Sequence, residues 1–542
     1  MESTCTDLSY KETGAFSSII IDYLEQHPNL SSFYEHPVDW NGFHSSIERR
    51  KTFRVNRPLL VEQLVQQYQL TGIHEAVQQH FDELLEENTF TVCTAHQPAL
   101  FTGTLYFIYK IVHTIRLADE LNERFPDSNF IPVFYMGSED ADLDELGHIY
   151  LSGDTLRWNT NQTGAVGRMH TKGLEPIIHR LEGELSVLPF GAELISMIRK
   201  CYAAGKTIQQ ATFMFINELF ADRGLVVLIP DNAALKRVMA PIFKDDLLNQ
   251  VPSSIVQTTI AELEKFYKVQ ANPRDVNLFY LLDKSRDRIE KTGEDEWSVV
   301  DQDIRFSKEQ LLKELDEHPE RFSPNVILRG VFQETVLPNI AFIGGGGELA
   351  YWLELKALFN HYNVPYPVLV LRNSFLLVEA KWKNKIDKLG IDVLATFSSE
   401  DQLLKAIVQR ETSNILSVTK QVEQARKLYQ ELRAIATQVD RSLDEHVGAL
   451  EHSAISRIEE LEKKLMRAEK RKFEAEKRQL HAIKSALFPK NSLQERVENF
   501  MPYYARHGAA FIDMIYDQSL SIDPKFRIIE LQDMPVETSK KL

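Results

Sequence analysis

Short apolar runs alternate with helical stretches along the first 395 residues of the chain. Apolar strands separated by helices are typical of a largely parallel sheet that is covered on both faces. We therefore predict an α/β fold with a Rossmann-like core over 1–395, which includes packing helices up to about residue 86. The interval between 229 and 339 is too long for a simple βα repeat, so inserted or connecting subdomains are expected there. The predicted strands are 89–95, 130–136, 225–229, 339–344 and 366–371.

A different pattern begins near residue 396, where Glu, Lys, Gln, Arg, Leu and Ala dominate. Apolar residues recur at spacings of three and four in two stripes, and Asp440-Arg441-Ser442 interrupts them. This pattern predicts a long antiparallel helical coiled coil over 396–488 that turns near residue 441. Its second arm, Leu443 to Ala482, would be on the order of 60 Å long, so we expect it to protrude and to form a homodimer.

The last segment, 489–542, is predicted to return to the core, because Leu493, Val497 and Phe500 recur at helical spacing and require burial. Aromatic and cationic side chains beside them could stack on a base and contact phosphate. The alternative is an amphipathic helix that only closes the domain. The candidate nucleotide contacts in this segment are Lys490, Tyr503, Tyr504, Arg506 and His507.

The composition of the 542 residues mainly argues against certain classes of protein. Three cysteines without a C-x-x-C pair argue against a disulfide framework or a cysteine zinc site, and they favour a reducing cytoplasm. The sequence shows no secretory signal pattern and no apolar run of membrane-spanning length. A net charge of −16 and interleaved acids in the charged run 462–479 disfavour nucleic acid as a partner.

Polar residues follow the predicted strands and carry the candidate chemistry. The loop after 130–136 holds Glu139, Asp140, Asp142 and His148. Such a cluster could bind Mg²⁺, position an amine or act as a general base, and helix capping is the alternative for its acids. Because the carboxyl ends of parallel strands meet at one sheet edge, we expect the loops that start at His96, Glu139, Gly344 and Arg372 to line one cleft.

Glycines and arginines supply the other candidate groups. The loop after 339–344 has four glycines, whose backbone could approach phosphate or carboxylate closely, although it matches neither common phosphate-loop pattern. Arg329 and Arg372 flank predicted strands and could each bind a carboxylate bidentately. Capping and surface pairing are the alternatives for the polar residues near them, which are Asn325, Gln333, Asn373 and Ser374.

An ordered set of motifs gives the chain a resemblance. HQPALFTG, SEDADLDELGH, FSPNVILRGVFQETVLPNIAFIGGGGELAYWLELK, VLRNSF and SLQERVENFMPYYARHG occur in that order. Together they resemble the cysteine ligase family of bacillithiol biosynthesis over essentially the whole chain. The resemblance implies a Rossmann-type core with connecting-peptide insertions, a dimer-forming coiled coil, and the joining of L-cysteine to the amine of glucosaminyl-malate.

The match to the family loops is close but incomplete. His96, Gln97, Thr102 and Gly103 fall on the first substrate loop, with His96 where Gln is more usual. Glu139, Asp140, Asp142 and His148 fall on the second loop, whose first family histidine is replaced by Ala141. In the third loop, Gly346 and Gly347 replace a Pro-Ala type pair. These departures leave the roles of the replaced side chains open.

The leading hypothesis is an ATP-dependent amide ligase, because a carboxylate and an amine need activation to condense. Glu139 or Asp140 would hold or deprotonate the amine, His148 would assist, and Arg329 or Arg372 would bind malate carboxylates. The expected nucleotide contacts are Gly344, Gly345, Gly346, Lys490, Tyr504 and Arg506, with ATP possible as its Mg²⁺ complex. One alternative is a non-catalytic scaffold that recruits a catalyst through the coiled coil, and another is a nucleotidyltransferase.

Overall fold

A computed structural model describes residues 3–414 and 416–532 of the chain. Within these residues the chain forms two compact units: the first comprises 3–376 and 494–529, and the second comprises 377–493 and 530–532. The second unit is thus an insertion in the first, which the chain leaves after Leu376 and re-enters at Gln494. The sequence pattern placed the corresponding boundaries at 395 and 488.

Fifteen strands occur in the described residues. They are β1 Ser3–Ser9, β2 Thr89–His96, β3 Asn129–Met136, β4 His148–Leu151, β5 Asp154–Arg157, β6 Val226–Leu228, β7 Leu278–Leu282, β8 Ser285–Lys291, β9 Glu296–Val299, β10 Ile304–Ser307, β11 Phe322–Pro324, β12 Asn339–Gly344, β13 Val368–Leu371, β14 Ser374–Glu379 and β15 Lys525–Leu531. Strand β1 was not predicted, because its sequence STCTDLS has too few apolar residues to mark a strand.

The α-helices of the described residues follow in chain order. They are α1 Ser18–Leu24, α2 Trp40–Lys51, α3 Arg57–Tyr68, α4 Glu75–Leu84, α5 Leu105–Arg124, α6 Leu143–Leu146, α7 Glu175–Leu185, α8 Gly191–Cys201, α9 Ile208–Phe220, α10 Ala233–Val238, α11 Ala240–Asn249, α12 Val251–Leu263, α13 Lys308–Glu317, α14 Val326–Val336, α15 Gly346–Trp352, α16 Lys356–His361, α17 Ala380–Lys388, α18 Glu400–Glu411, α19 Thr419–Val439, α20 Leu443–Lys470, α21 Glu474–Leu487, α22 Met501–His507 and α23 Ala509–Gln518.

The centre of the first unit is a parallel sheet of five strands in the order β13-β12-β2-β3-β6. The five predicted strands are confirmed as these five. Pairing runs to the strand ends, with His96 opposite Met136 and Gly344 opposite Leu371, so the loops that follow leave from one edge. Helices α2 and α5 pack on the sheet, and they bury apolar side chains such as Ile47 and Leu117 against it.

The predicted insertion between 229 and 339 is confirmed, and it contains several helices and an antiparallel sheet. Its strand order is β10-β9-β8-β7-β11, with α11 and α13 packed on it. Trp297 is fully buried there, and its indole N–H donates to the carbonyl of Leu247 at 3.0 Å. A separate hairpin, β4-β5, follows the loop at 139–147.

The second unit contains the predicted antiparallel hairpin. Helices α19 and α20 pack on each other and turn at 440–442, where Asp440 Oδ1 accepts a hydrogen bond from the amide of Ser442 at 2.8 Å. The prediction of a continuous second arm was wrong, because the helix breaks between Lys470 and Glu474. At that point the packing partner changes: Lys470 pairs with Asp401 of α18, and α21 packs on α18 instead of α19.

Candidate functional site

A cavity of about 600 Å³ lies at the carboxyl edge of the parallel sheet, within the first unit. The loops after β2, β3, β6, β12 and β13 all reach it, as expected for ligand sites in open α/β sheets. The prediction that the loops share one cleft is confirmed. The lining residues are Ala95, His96, Gln97, Tyr106, Tyr135, Gly137, Ser138, Glu139, Asp140, Glu145, Pro230, Asn272, Arg274, Phe279, Arg286, Pro324, Asn325, Val326, Arg329, Gly345, Gly346, Gly347, Glu348, Tyr351, Arg372 and Arg496.

Glu139 is held by a buried charge network. Its Oε1 pairs with Lys236, which is fully buried and also donates to the carbonyl of Glu320 at 2.9 Å. Asp231 lies 3.5 Å from the Lys236 ammonium and accepts two bonds of 2.7 Å from Arg168. Burial raises the pKa of Glu139, and Lys236 opposes that rise. The network therefore fixes the position of the Glu139 carboxylate in the cavity wall.

Asp140 is the more accessible of the two acids. Its Oδ2 accepts from Gln97 Nε2 at 3.1 Å, and its Oδ1 accepts from the amide of Asp142 at 3.1 Å. The bond from Gln97 joins the loops after β2 and β3 across the cavity. Both bonds come from neutral donors, so the Asp140 carboxylate can still accept bonds from a cationic ligand.

Two other predicted residues of this loop stay outside the lining of the cavity. Asp142 caps α6, since its Oδ1 accepts from the amide of Glu145 at 2.9 Å. His148 begins β4, and its Nδ1 lies 2.8 Å from the carbonyl of Asp144. Glu145 of the same loop also lines the cavity. The roles predicted for Asp142 and His148 remain predictions.

His96 is a neutral hydrogen-bonding group in this cavity. Burial lowers its pKa to about 4, and the nearby Lys110 ammonium acts in the same direction. Nδ1 lies 2.9 Å from the carbonyl of Gln97, which can only accept, so the proton is on Nδ1. Nε2 then accepts from the hydroxyl of Tyr106 at 3.1 Å. His96 thereby orients a tyrosine at the start of α5.

The glycine loop is closed by a second buried ion pair. Lys110 of α5 donates to Glu348 Oε2 and to the carbonyl of Ala95, both at 2.5 Å. Glu348 Oε2 also accepts from the amide of Gly345 at 2.8 Å. Burial raises the pKa of Glu348, but Lys110 and the Gly345 amide together lower it below its usual value. The Gly345 amide is therefore engaged by Glu348.

Arginines supply the positive side of the cavity. Arg329 donates to the hydroxyl of Tyr351 at 2.7 Å, and its guanidinium lies 5.9 Å from the ring of Tyr135. Arg286 donates to Ser323 Oγ at 3.0 Å and lies 4.0 Å over the ring of Phe279. Aromatic contacts of this kind hold a guanidinium in place while part of its edge stays available to a ligand. The other lining arginines are Arg274, Arg372 and Arg496.

The remaining predicted residues separate into two groups. Asn325, Gly345 and Gly346 line the cavity, and Asn325 also caps α14 by accepting from the amide of Ile327 at 2.8 Å. The other predicted residues do not belong to the lining. These are Thr102, Gly103, Gly344, Asn373, Ser374, Lys490, Tyr504 and Arg506, of which Lys490 belongs to the second unit and the others to the first.

Sequence reasoning missed several charged residues of the site. Asp231 follows β6 directly, so the rule applied to the other four loops would have found it. Lys236 lies inside a helix, and Arg286 comes from the inserted antiparallel sheet. The positions of the last two have no signal in the spacing of the sequence, because only the tertiary fold brings them to the cavity.

Comparison with known proteins decides the family. Residues 1–373 match "Bacillithiol biosynthesis BshC, N-terminal Rossmann-like domain", and residues 375–531 match the C-terminal coiled-coil domain of the same family. The chain belongs to the BshC family. A Flavobacterium johnsoniae protein named "Putative cysteine ligase BshC" is 39% identical over 526 residues, which cover 97% of this chain and 99% of that protein. A Flavobacterium psychrophilum protein of the same name is 38% identical and covers 96% and 99%.

The BshC family matches divide the chain within three residues of the point where it leaves the first unit, at 373–375 and 376. In the described part of this BshC chain, no helix is long and apolar enough to cross a membrane. Nor do residues 3–414 and 416–532 contain a group of three or more His, Cys, Asp or Glu side chains arranged to hold a metal ion.

Proposed function

We propose that this protein is an ATP-dependent ligase that joins the carboxyl group of L-cysteine to the amine of glucosaminyl-malate. One observation carries the proposal: a single cavity of about 600 Å³ is lined by four acidic and several arginine side chains at the edge of a parallel sheet. Carboxylates suit an amine, and arginines suit the carboxylates of malate and cysteine. The relatives are named as cysteine ligases, which supports L-cysteine as one of the substrates.

The lining residues fit a nucleotide as well as carboxylates. Arg274, Arg286 and Arg496 could pair with phosphate oxygens. Ser138 Oγ is a buried atom of the lining with no hydrogen-bond partner in the described residues, so a ligand could satisfy it. ATP, when bound, supplies the activation of the cysteine carboxyl group. Of the predicted nucleotide contacts, the proposal keeps Gly345 and Gly346, which line the cavity.

Asp140 is the group that we assign to the amine. It can accept a hydrogen bond from the glucosaminyl ammonium and remove one proton, so that the neutral amine would attack the activated carboxyl carbon and expel the activating phosphate-containing group. Glu139 is less suited to proton transfer, because Lys236 already occupies its Oε1. Its role is to hold the cavity wall beside Asp140 through its ion pair with Lys236.

Arg329 and Arg372 are assigned to the carboxylates of malate. Both line the cavity, and both are held by neighbours, Arg329 by Tyr351 and Arg372 by Glu495. A preorganised guanidinium loses little conformational entropy on binding, so two of them can set the orientation of a dicarboxylate. The reaction would take place in the cytoplasm, where the three free thiols of this chain stay reduced.

We also propose that the coiled coil forms a homodimer. Seven large apolar side chains along α19 and α20 are at least 37% exposed in the single chain. A stripe of this kind is expected to be covered by a second copy, since a symmetric pair would present the same stripe twice. The residues are Leu428, Leu432, Ile435, Val439, Leu443, Leu450 and Leu461.

The decisive experiment measures nucleotide turnover that depends on both cysteine and glucosaminyl-malate. We expect Asp140→Asn to lower kcat by about 100-fold or more, in the range observed for loss of a proton acceptor. Asp144→Asn is the matched control, since Asp144 lies in the same loop and does not line the cavity. Wild-type turnover in Asp140→Asn would exclude this mechanism. If cells in which both Glu139 and Asp140 are replaced still produce the thiol, the scaffold alternative would be favoured.

A further inference from the structure

Arg372 lies where the chain is about to leave the first unit. Its amide donates to the carbonyl of Gly344 at 2.8 Å, which extends the pairing of β12 and β13 by one bond. Nη1 donates to the carbonyl of Asn373 and to Ser374 Oγ, both at 3.0 Å. A Cβ atom at residue 345 would lie 3.6 Å from Arg372 Nε, so glycine at this position keeps the Nε edge accessible from the cavity.

Glu495 completes the surroundings of this guanidinium. Its Oε1 accepts from Arg372 Nη2 at 2.7 Å, and its Oε2 accepts from the amide of Phe375 at 3.2 Å. Both side chains are buried, with exposures of 4% for Arg372 and 0% for Glu495. Phe375 is the second-last residue before the inserted unit and Glu495 is the second after it, so this carboxylate ties together the two ends of the insertion.

The same returning segment also holds the start of α5. Asn499 Nδ2 donates to the carbonyls of Phe101 and Gly103 at 3.0 and 2.5 Å, and the carbonyl of Glu498 accepts from the amide of Leu105 at 2.7 Å. Phe101 and Thr102 have φ values of +48° and +68°, which side chains of their type rarely adopt. The surrounding structure must therefore enforce this turn.

The turn leads directly to the residue beneath Arg372. Tyr106 lies in the first turn of α5, its ring is 4.9 Å from the Arg372 guanidinium, and its hydroxyl contacts His96. Segment 495–499 thus holds both the cation and the aromatic ring that it stacks on. A buried ion pair contributes little net stability compared with apolar groups of the same size, so stability alone does not explain why a carboxylate stands at 495.

We propose that Glu495 is a positioning residue, which sets the Arg372 guanidinium for a substrate carboxylate. This inference rests on the proposed function for the identity of that carboxylate. It assigns a positioning role to a side chain outside the lining of the cavity, and it makes the site depend on the correct return of the chain after the insertion. Arg372 makes the contact with the ligand, and Glu495 acts only through it.

The test combines a chemical readout with a double-mutant cycle. Reaction with phenylglyoxal, followed by mass spectrometry of the peptide that contains Arg372, reports on the guanidinium without any ligand. We expect Glu495→Gln to raise the modification rate at Arg372 several-fold. The control is Asp513→Asn, in the part of the chain that follows the insertion. This substitution removes the carboxylate of a surface ion pair with Arg223, and it should leave the modification rate at Arg372 unchanged.

The cycle measures binding of glucosaminyl-malate by calorimetry. Glu495→Gln should weaken binding roughly tenfold, as expected for the loss of a charged hydrogen-bond partner. In an Arg372→Gln background, Glu495→Gln should weaken it no further, because both changes act through one guanidinium. Additive losses would indicate a general structural role and overturn the proposal. If Glu495→Gln does not fold, Glu495→Asp, which moves the carboxylate away from Arg372, carries the same test.

The outcomes separate this inference from the proposed function. An unchanged modification rate at Arg372, or wild-type affinity in Glu495→Gln, would overturn the positioning role. A raised modification rate in a protein whose wild type binds no glucosaminyl-malate would remove the proposed substrate, while the control of Arg372 by Glu495 would stand.

Discussion

The apolar side chains of the parallel sheet are buried, whereas those of the helical hairpin are largely exposed. Every residue of β12 is buried by the rest of its own unit, whereas no residue of α19 is buried. Val92 in β2 has no exposed surface, but Val439 at the end of α19 is 79% exposed. Apolar periodicity predicts both elements equally well, so the difference shows that periodicity identifies an element and its apolar face but not what covers that face.

Charged residues show the same contrast. In the first unit, ion pairs such as Arg50 with Glu334 and Lys110 with Glu348 are partly or wholly removed from water. In the hairpin, Arg433 and Asp444 pair at 3.1 Å with exposures of 41% and 47%. Pairs of the second kind contribute at most about 1 kcal/mol, while breaking one of the first kind leaves an uncompensated charge.

The largest effect is expected from Arg50→Met, which tests whether the buried pairs are essential in the sheet unit. Arg50 pairs with Glu334 at 2.6 Å and donates to the carbonyl of Pro365 at 3.1 Å. We expect a loss of about 3–5 kcal/mol in the free energy of unfolding, measured with urea. The matched control is Arg49→Met at the exposed neighbouring position, with a loss below about 1 kcal/mol. Equal losses in both variants would contradict the contrast between buried and surface charges.

The next effect concerns an apolar residue of the sheet. Ile343 has no exposed surface and belongs to the central core cluster with Val92 and Val370. We expect Ile343→Ala to cost about 2–5 kcal/mol in urea unfolding, because a cavity remains in a strand packed on both faces. A loss below about 1 kcal/mol would show that the core around β12 relaxes into the space.

The fold was predictable from the sequence to the extent that it depends on local pattern. The five core strands, the insertion and the hairpin turn at 440–442 all carry local signals, and so do the loops that place His96, Asp140 and Arg372 at one edge. The partners of those residues carry none, because Glu495 meets Arg372 from 123 positions away. The break after Lys470 was missed for the same reason, since it coincides with a change of packing partner and not with a helix-breaking residue.

A smaller effect on the free energy of unfolding is expected from pH, and His113 is the group through which it can be measured. His113 is buried, accepts from the amide of Asn373 at 3.1 Å and donates to the carbonyl of Ser521 at 2.8 Å, and burial lowers its pKa to about 4. A histidine with a lowered pKa in the folded state stabilises fully above about pH 6.5, and this contribution is lost as the pH falls towards 4. The loss is on the order of 3 kcal/mol at most.

Substitutions separate the pH dependence that comes from His113 from the opposite pH dependence that comes from buried carboxylates. Burial raises the pKa of Glu334 and Asp246 to about 7, so these groups reduce stability as the pH rises towards 7. Between pH 7 and pH 5, measured at pH 7, 6 and 5, the unfolding free energy of His113→Asn should rise relative to that of the wild type, because the variant lacks the destabilising protonation of His113. His446→Asn, at an exposed position of the hairpin, should keep the wild-type slope. If the unfolding free energy of His113→Asn changes with pH as it does in the wild type, His113 does not contribute to the pH dependence of stability.

The smallest effect on the stability of the single chain is expected from Ile435→Ala in the hairpin. Ile435 is 61% exposed, so its truncation removes little buried surface and should change the free energy of unfolding by less than about 0.5 kcal/mol at low protein concentration. If a second copy covers the stripe, the same truncation should raise the dimer dissociation constant, measured by analytical ultracentrifugation, by about tenfold. The pair Ile343→Ala and Ile435→Ala therefore compares one side chain in two settings. A loss above about 2 kcal/mol in dilute Ile435→Ala would mean that the chain itself covers the stripe. A wild type that stays monomeric at micromolar concentration would remove the homodimer proposal and leave the stripe for a different partner.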